Sequence, residues 1–208
     1  MKVLINIIRI IVGILFIFSG LVKANDPMGL AYKMEEFFEA WHFPLMPYYV
    51  SIVLSFGMNV LEITAGIALL IGWQLKFTTR FLLALIVFFT FLTSYVLFSG
   101  KITNCGCFGD CIPLTPIQTF VKDIALLVMI VLLTWKHSIM KPLTGKGFGL
   151  ISVAATVLLS FFLQWYVFRH LPLVDCLPYK KGNSILEQMK VPAGAVSDSF
   201  EIVYQYKK

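Results

Sequence analysis

Three of the four cysteines lie within seven residues, in the segment 105–111, whose sequence is CGCFGDC. Cys105 and Cys107 are separated by one residue, so a disulfide between them closes a small, strained ring, and strain makes a disulfide easier to reduce. The two glycines of the segment let the backbone turn tightly and let a partner's sulfur approach. Thiol–disulfide exchange needs such an accessible sulfur, and it needs a second thiol to resolve the mixed disulfide. The segment therefore predicts redox-active cysteines, including Cys111.

The fourth cysteine, Cys176, leaves two other interpretations open. In the first, a structural disulfide ties the segment 105–111 to Cys176. In the second, thiolates hold a metal ion, because the spacing of Cys107 and Cys111 suits tetrahedral sites. The pair Cys105 and Cys107 would crowd such an ion, so we expect no metal. Four cysteines permit three complete pairings, and the sequence does not choose among them.

Four polar residues lie inside or beside otherwise apolar stretches, where ionisable side chains are costly and usually functional. Glu62 is in the middle of one stretch, and Lys122 and Asp123 are adjacent in another. Gln118 precedes Lys122 by one helical turn and shares its face. These residues predict a proton relay or a pocket for a quinone head group. The alternative, compatible with the first, is a buried ion pair between Glu62 and Lys122 that orients the helices.

The elements that carry these residues are expected to be membrane-spanning helices. The chain is 59% hydrophobic and only 13% charged, with a mean hydropathy of +0.85. This composition excludes a soluble enzyme, a disordered chain and a disulfide-stapled miniprotein. It also argues against nucleic-acid binding despite the net charge of +6, because basic residues in such chains flank spans. Five continuous apolar stretches predict five spans: Val3–Val22, Tyr48–Ile71, Phe77–Phe98, Thr115–Trp135 and Gly149–Phe168.

The basic residues of the short loops predict the orientation of these spans. The loops after the second and fourth spans are free of acidic residues and hold five cations: Lys76, Arg80, Lys136, Lys141 and Lys146. By the positive-inside rule these loops are cytoplasmic. The N-terminus is then inside, and the segment 105–111 and the C-terminal tail are outside. We expect Arg9 to snorkel to the cytoplasmic interface, and Lys23 to end the first span as an interfacial anchor.

Two further segments are expected outside the membrane. Residues 28–43 place apolar side chains at helical spacing with acidic ones between them, which predicts an amphipathic helix on the outer surface. Between these two segments, residues 136–170 return to the membrane side: they hold a cytoplasmic loop and the fifth span. The tail 171–208 contains one strand-like stretch, Phe200–Tyr204. This stretch either pairs with another chain or begins a larger domain.

Two sets of residues resemble known families of bacterial membrane proteins. The segment 9–20 followed by Lys23 and Pro27, and Glu62 followed by two glycines, resemble the DoxX family. The motif Cys-Gly-Cys-Phe-Gly at 105–109, followed by a span that contains Lys122 and Asp123, resembles the related MauE branch. Together the resemblance covers roughly residues 3–135.

The resemblance implies a DoxX-like four-helix transmembrane bundle over residues 1–135, to which this chain adds a fifth helix and a short extracytoplasmic tail. MauE-like proteins are linked to disulfide formation or electron transfer outside the bacterial inner membrane, usually with a thioredoxin-like partner. DoxX relatives are linked to quinone-coupled sulfur oxidation. Carried over, Cys105 and Cys107 become the redox pair, and Lys122 and Asp123 the supporting polar pair. Cys111 and Cys176 lie outside the short motif, which leaves their roles open.

The leading hypothesis is a membrane thiol–disulfide oxidoreductase or electron-transfer subunit. Electrons would pass between an extracytoplasmic thiol protein and membrane quinone, with no covalently bound cofactor. Four cysteines suit a relay of two pairs, one for the partner and one for the quinone: Cys105, Cys107, Cys111 and Cys176. The alternative is a non-catalytic scaffold subunit of a larger membrane complex, whose disulfides are structural. Transport is a weaker interpretation, because the sequence has no inverted repeat and no paired broken spans.

Overall fold

A computed structural model of the chain describes residues 2–43, 47–100, 102, 114–174, 182–184, 186 and 189. Within this part the regular structure is entirely helical. Six α-helices follow one another along the chain: α1 (Lys2–Ala24), α2 (Pro27–Ala40), α3 (Tyr48–Ile71), α4 (Leu75–Ser99), α5 (Pro116–Trp135) and α6 (Lys146–Arg169). A short 3₁₀ turn, His137–Ile139, links α5 to the loop before α6.

Five of these helices, all but α2, are long and apolar enough to cross a membrane. They begin and end within about three residues of the spans expected from the sequence, so the prediction of an all-α membrane protein is confirmed. A helix satisfies its own backbone hydrogen bonds, which lipid cannot do for an extended chain. Their surfaces remain apolar where they face outward, and side chains such as Phe91 and Leu158 are largely exposed.

Helices α1, α3, α4 and α5 surround a shared core. Fully buried side chains from all four meet there: Val12, Leu69, Leu82, Ile86 and Ile130. Because lipid tails are as apolar as leucine, such helices associate through close packing rather than through the hydrophobic effect.

Small residues bring α1 and α3 into close contact. A Cβ atom added to Gly66 would lie 2.8 Å from the carbonyl oxygen of Gly13, and one added to Gly13 would lie 2.5 Å from the Leu70 side chain. A larger residue at Gly66 would push the two backbones apart, and one at Gly13 would displace the Leu70 side chain. Gly57, by contrast, faces open space, and Gly72 ends α3 in a left-handed conformation with φ of 78°.

The amphipathic helix α2 crosses from α3 to α4 at the end of the bundle where α3 begins. It starts at the Asp26 side chain, which accepts a hydrogen bond from the Gly29 backbone N–H at 2.9 Å. The Ser55 hydroxyl of α3 donates to the Pro27 carbonyl at 2.6 Å. At the other end of α2, the Trp41 ring packs edge-on against Tyr95 of α4, 5.6 Å between centroids.

The additional span α6 packs against α3 on the outside of this arrangement. Buried Asn59 donates to the Gln164 side-chain oxygen at 3.0 Å, and Gln164 in turn donates to the Phe56 carbonyl at 3.3 Å. The Phe56 ring meets Phe168 edge-on at 5.9 Å. A polar pair inside an apolar contact favours one register of the two helices, because any other register leaves amides unpaired.

The predicted snorkelling of Arg9 is wrong. Its side chain is only 5% exposed, and the guanidinium donates to three backbone carbonyls: Leu69 at 2.8 Å, Leu70 at 2.8 Å and Lys141 at 2.9 Å. Leu69 and Leu70 are in the last turn of α3, where the helix dipole is negative. Water is not needed, because the protein supplies the acceptors.

The chain divides into two compact units, Met1–Asp175 and Cys176–Lys208. The first contains all six helices. In the second, the structure describes residues 182–184, 186 and 189. The strand predicted at Phe200–Tyr204 lies outside the described residues.

Candidate functional site

The four cysteines lie outside the described residues. Three of them fall between the end of α4 at Ser99 and the start of α5 at Pro116, and Cys176 follows α6. Their pairing, their redox activity and the metal alternative therefore stay predictions from the sequence. The part of the site that the structure describes is the polar interior of the bundle.

Lys23 and Glu62 form an ion pair inside the bundle. The Lys23 ammonium donates a hydrogen bond to Glu62 Oε1, and the two side chains are only 2% and 1% exposed. Lys23 is in the last turn of α1, and Glu62 is in the middle of α3. Glu62 therefore pairs with Lys23, and the interpretation of Lys23 as an interfacial anchor is wrong. A charge at this depth needs an opposite charge, which the close contact of α1 and α3 supplies.

A second ion pair joins neighbouring residues of α5. Lys122 Nζ lies 2.9 Å from Asp123 Oδ1, and Asp123 is 1% exposed. The other carboxylate oxygen of Asp123 accepts a hydrogen bond from the Thr93 hydroxyl of α4 at 3.1 Å. Asp123 thus connects α4 to α5 as well as holding Lys122.

Both pairs line one small cavity. Its walls include Lys23 and Glu62 on one side and Lys122 and Asp123 on the other, with Ser19 of α1 beside them. The cavity measures about 20 Å³, which is room for a single water molecule. Two cations and two carboxylates meet around it, so the set is neutral as a whole. A water here would be within reach of donors and acceptors from three helices.

The structure brings Glu62, Lys122 and Asp123 together as predicted, but it does not bring Gln118 to them. Gln118 is exposed in the first turn of α5. The side-chain oxygen of Gln118 accepts a hydrogen bond from the Thr115 backbone N–H at 3.1 Å. The backbone N–H of Gln118 donates a hydrogen bond to the Thr115 hydroxyl at 3.3 Å. This reciprocal arrangement is a capping box, and it gives Gln118 a structural role in starting α5.

An apolar cavity of about 260 Å³ lies on the other side of Lys23. It is bounded by α2, α3 and α4, through side chains that include Phe37, Leu54 and Phe88. Lys23 and Phe89 line both cavities and so stand between them. The Lys23 ammonium is 4.7 Å from the centroid of the Phe89 ring. An apolar molecule in this space would meet one buried ammonium at its inner end.

Two members of this site, Lys23 and Thr93, were not among the candidates from the sequence. Lys23 carries a usable signal, because a cation in the last turn of a long apolar helix needs a partner if the helix ends inside the membrane. Thr93 carries none, because threonine hydroxyls in helices usually donate to their own backbone, as this one also does to the Phe89 carbonyl at 3.0 Å.

Comparisons with known proteins place this architecture in a family. The family described as "Methylamine utilisation protein MauE" matches residues 1–136, which is about two thirds of the 208 residues. A relative, "Protein TlpB" of Flavobacterium psychrophilum, is 28% identical over 165 residues. That alignment covers 75% of this chain and 43% of the relative, so the chain spans less than half the length of the curated protein it matches. No solved structure matches the chain.

The family match covers α1 to α5, including every charged residue that lines the polar cavity. With five helices long enough to cross a bilayer, the protein is a multi-pass membrane protein. The chain belongs to the MauE family.

Proposed function

We propose that this protein is a membrane thiol–disulfide redox protein that exchanges electrons between an extracytoplasmic thiol protein and a membrane quinone. The observation that carries the proposal is the polar cavity beside the apolar one, beneath the end of the bundle where the cysteine segment joins α5. Lys122 lies six residues after the start of α5 at Pro116, about 9 Å along the helix axis. The kinship with the MauE family and with TlpB supports a thiol-linked role.

The chemistry is a balanced two-electron exchange. A dithiol and a quinone give a disulfide and a hydroquinone, with two electrons and two protons transferred, and the same equation runs in the opposite direction. One pair among Cys105, Cys107, Cys111 and Cys176 would meet the partner protein, and the other would meet the quinone. We also propose that the chain is related to the DoxX family, which it resembles at Glu62 and the glycines that follow it.

The described residues suit an apolar ring that bears polar oxygens. The cavity of about 260 Å³ has mostly aromatic and aliphatic walls, which is typical of small-molecule sites. Lys23 lies at its inner side and can donate to a ring oxygen, while Glu62 holds the ammonium in place. The polar cavity behind Lys23 offers a route by which water, Asp123 and Lys122 exchange protons with that site.

The first experiment measures the redox state of the cysteines in native membranes. Thiols are trapped with acid and labelled with a maleimide mass tag, with and without added oxidised or reduced quinone. We expect the labelling to follow the quinone, and Cys105→Ser or Cys107→Ser to abolish the change. Cys107→Ser should also trap a mixed disulfide with a partner protein. Cysteines locked in one state under every condition would refute the redox proposal.

A matched pair of variants tests the apolar cavity. Leu54 and Leu61 are both on α3 and are 42% and 43% exposed, but only Leu54 lines the cavity. Leu54→Trp should fill the space and reduce the quinone-dependent labelling at least several-fold, whereas Leu61→Trp should leave it unchanged. Equal responses from the two variants would mean that the quinone does not bind in this cavity. Such a result would leave the proposed thiol chemistry unaffected.

A second candidate function is a scaffold subunit of a larger membrane complex. It is favoured by the pairing of the four charges that line the polar cavity, since paired charges can fix helix positions without taking part in any reaction. A scaffold predicts cysteines that resist mild reductants in the same labelling experiment.

A further inference from the structure

The end of the bundle where α1 begins is strongly basic. Among the described side chains, its helices and loops contribute six cations: Lys2, Arg9, Lys76, Arg80, Lys136 and Lys141. The sequence has no acidic residue before Asp26, between Glu62 and Asp110, or between Asp123 and Asp175. None of the segments that form this end therefore carries a carboxylate. A counter-charge for these cations has to come from outside the bundle.

Three of these cations line one cavity of about 290 Å³. Lys2 and Arg9 reach it from α1, and Lys141 reaches it from the loop between α5 and α6. The amide of Asn6 is the fourth polar group in the lining. Cations from one helix and one loop converge here without an acid beside them, which is an arrangement that binds anions.

The cavity is held open by the fold itself. Arg9 is fixed by its hydrogen bonds to three backbone carbonyls, which use three of its five N–H groups and leave two donors. The loop is fixed as well, because the Leu143 backbone N–H donates to the Ile71 carbonyl at 3.0 Å. A site whose walls are set before binding loses little conformational entropy when it is filled.

The remaining walls are apolar and face outward. Ile10 of α1 is 51% exposed and Leu143 of the loop is 75% exposed, and both line the cavity. Ile10 belongs to a membrane-spanning helix, so its exposed side meets lipid. The cavity thus has a cationic interior and an apolar outer wall. This pattern matches a molecule with an anionic head and a hydrocarbon tail.

We propose that this cavity binds the phosphate head group of an anionic phospholipid, with an acyl chain lying along Ile10 and Leu143. Lys2, Arg9 and Lys141 neutralise the phosphate, and Asn6 donates to it. Basic pockets between transmembrane helices bind lipid head groups in this way. The site is at the opposite end of the bundle from the end of α4 and the start of α5, and it does not depend on the proposed redox function.

The test compares two double variants that remove the same charge. Lys2→Gln with Lys141→Gln removes two cations from the cavity, and the Lys141 carbonyl that holds Arg9 is unaffected. Lys76→Gln with Arg80→Gln removes two exposed cations from the same end that do not line it. Each full-length protein is placed in phosphatidylcholine nanodiscs with rising fractions of phosphatidylglycerol. Native mass spectrometry then counts the phosphatidylglycerol retained.

We expect the wild-type protein to retain phosphatidylglycerol preferentially. A lysine beside an anionic head group contributes a factor of about five in affinity, so the loss of two from the cavity should weaken binding about 25-fold. Lys76 and Arg80 do not line the cavity, so the control variant should stay within about threefold of wild type. Equal losses in the two variants would mean diffuse attraction and would overturn the proposal. So would retention of phosphatidylcholine equal to that of phosphatidylglycerol. Full displacement of the lipid by millimolar inorganic phosphate would also overturn it, because the site would then bind a free anion.

Discussion

The polar cavity and the end of the bundle where α1 begins stabilise buried charge in two different ways. In the polar cavity, Lys23 pairs with Glu62 and Lys122 pairs with Asp123, so the cations and carboxylates cancel. In the basic cavity at the start of α1, Arg9 donates to backbone carbonyls only. The first pairs are stabilised by opposite charges, whereas Arg9 is stabilised by carbonyl dipoles, two of which lie at the negative end of α3.

Glu62→Gln should have the largest effect on stability. It leaves the Lys23 ammonium buried without a counter-charge, which costs about 3–5 kcal/mol of unfolding free energy. The measurement is denaturant unfolding in detergent micelles. The double variant Lys23→Met with Glu62→Gln removes both charges and should recover most of the loss. If the double variant is as unstable as the single one, charge compensation is not what holds this pair together.

Arg9→Lys should be the next most damaging change. Lysine keeps the charge but lacks the planar fork that reaches three carbonyls, and loss of charge-assisted hydrogen bonds should cost about 2 kcal/mol. Unlike Lys23, Arg9 has no acidic partner among the described residues, so no second substitution could compensate for its loss. A stability equal to wild type in the same unfolding assay would mean that the carbonyl contacts of Arg9 contribute little.

Gln164→Leu tests how much a neutral polar contact contributes to the free energy of unfolding, measured in the same assay. It removes the amide that joins α6 to Asn59 of α3, and such contacts in membranes are worth about 0.6–1.7 kcal/mol. We expect a loss of about 1 kcal/mol, with α6 becoming more accessible to protease while α1–α5 stay folded. A loss as large as that of Glu62→Gln would erase the distinction between charged and neutral contacts.

Glu36→Gln should have the smallest effect. Glu36 pairs with Lys33 on α2 at 2.7 Å, but it is 42% exposed. Exposed pairs of this spacing are worth about 0.3–0.5 kcal/mol. The variant supplies the baseline for the others, and a loss above about 1 kcal/mol would show that exposure does not govern the strength of these pairs.

The sequence predicted the spans well and the partners of the charges poorly. Continuous apolar runs are a local signal, so the bounds of α3, Tyr48–Ile71, could be stated in advance. Which carboxylate Lys23 meets depends on the close approach of α1 and α3 through Gly13 and Gly66, which is a property of the packed bundle. For the same reason the sequence did not predict the pair of Lys23 with Glu62.

Local competition explains the other departures. Gln118 has the right spacing to share a face with Lys122. Its side chain instead accepts a hydrogen bond from the Thr115 backbone N–H, which has no partner within the helix. Arg9 was expected to reach water, but it donates to the carbonyls of Leu69 and Lys141, which are 60 and 132 residues away in the chain. Contacts of such sequence separation leave no periodic signal.

The hydrogen bonds of Arg9 also bear on the order of assembly during membrane insertion. Two of its acceptors, Leu69 and Leu70, become available as soon as the hairpin of α1 and α3 has formed, but the third belongs to Lys141. Ribosomes add residues one at a time from the N-terminus, so α1 waits for more than 130 residues before its arginine is fully satisfied. The hydrogen bond from Arg9 to the Lys141 carbonyl therefore forms last, after the loop that follows α5 has been synthesised and has folded back over α3.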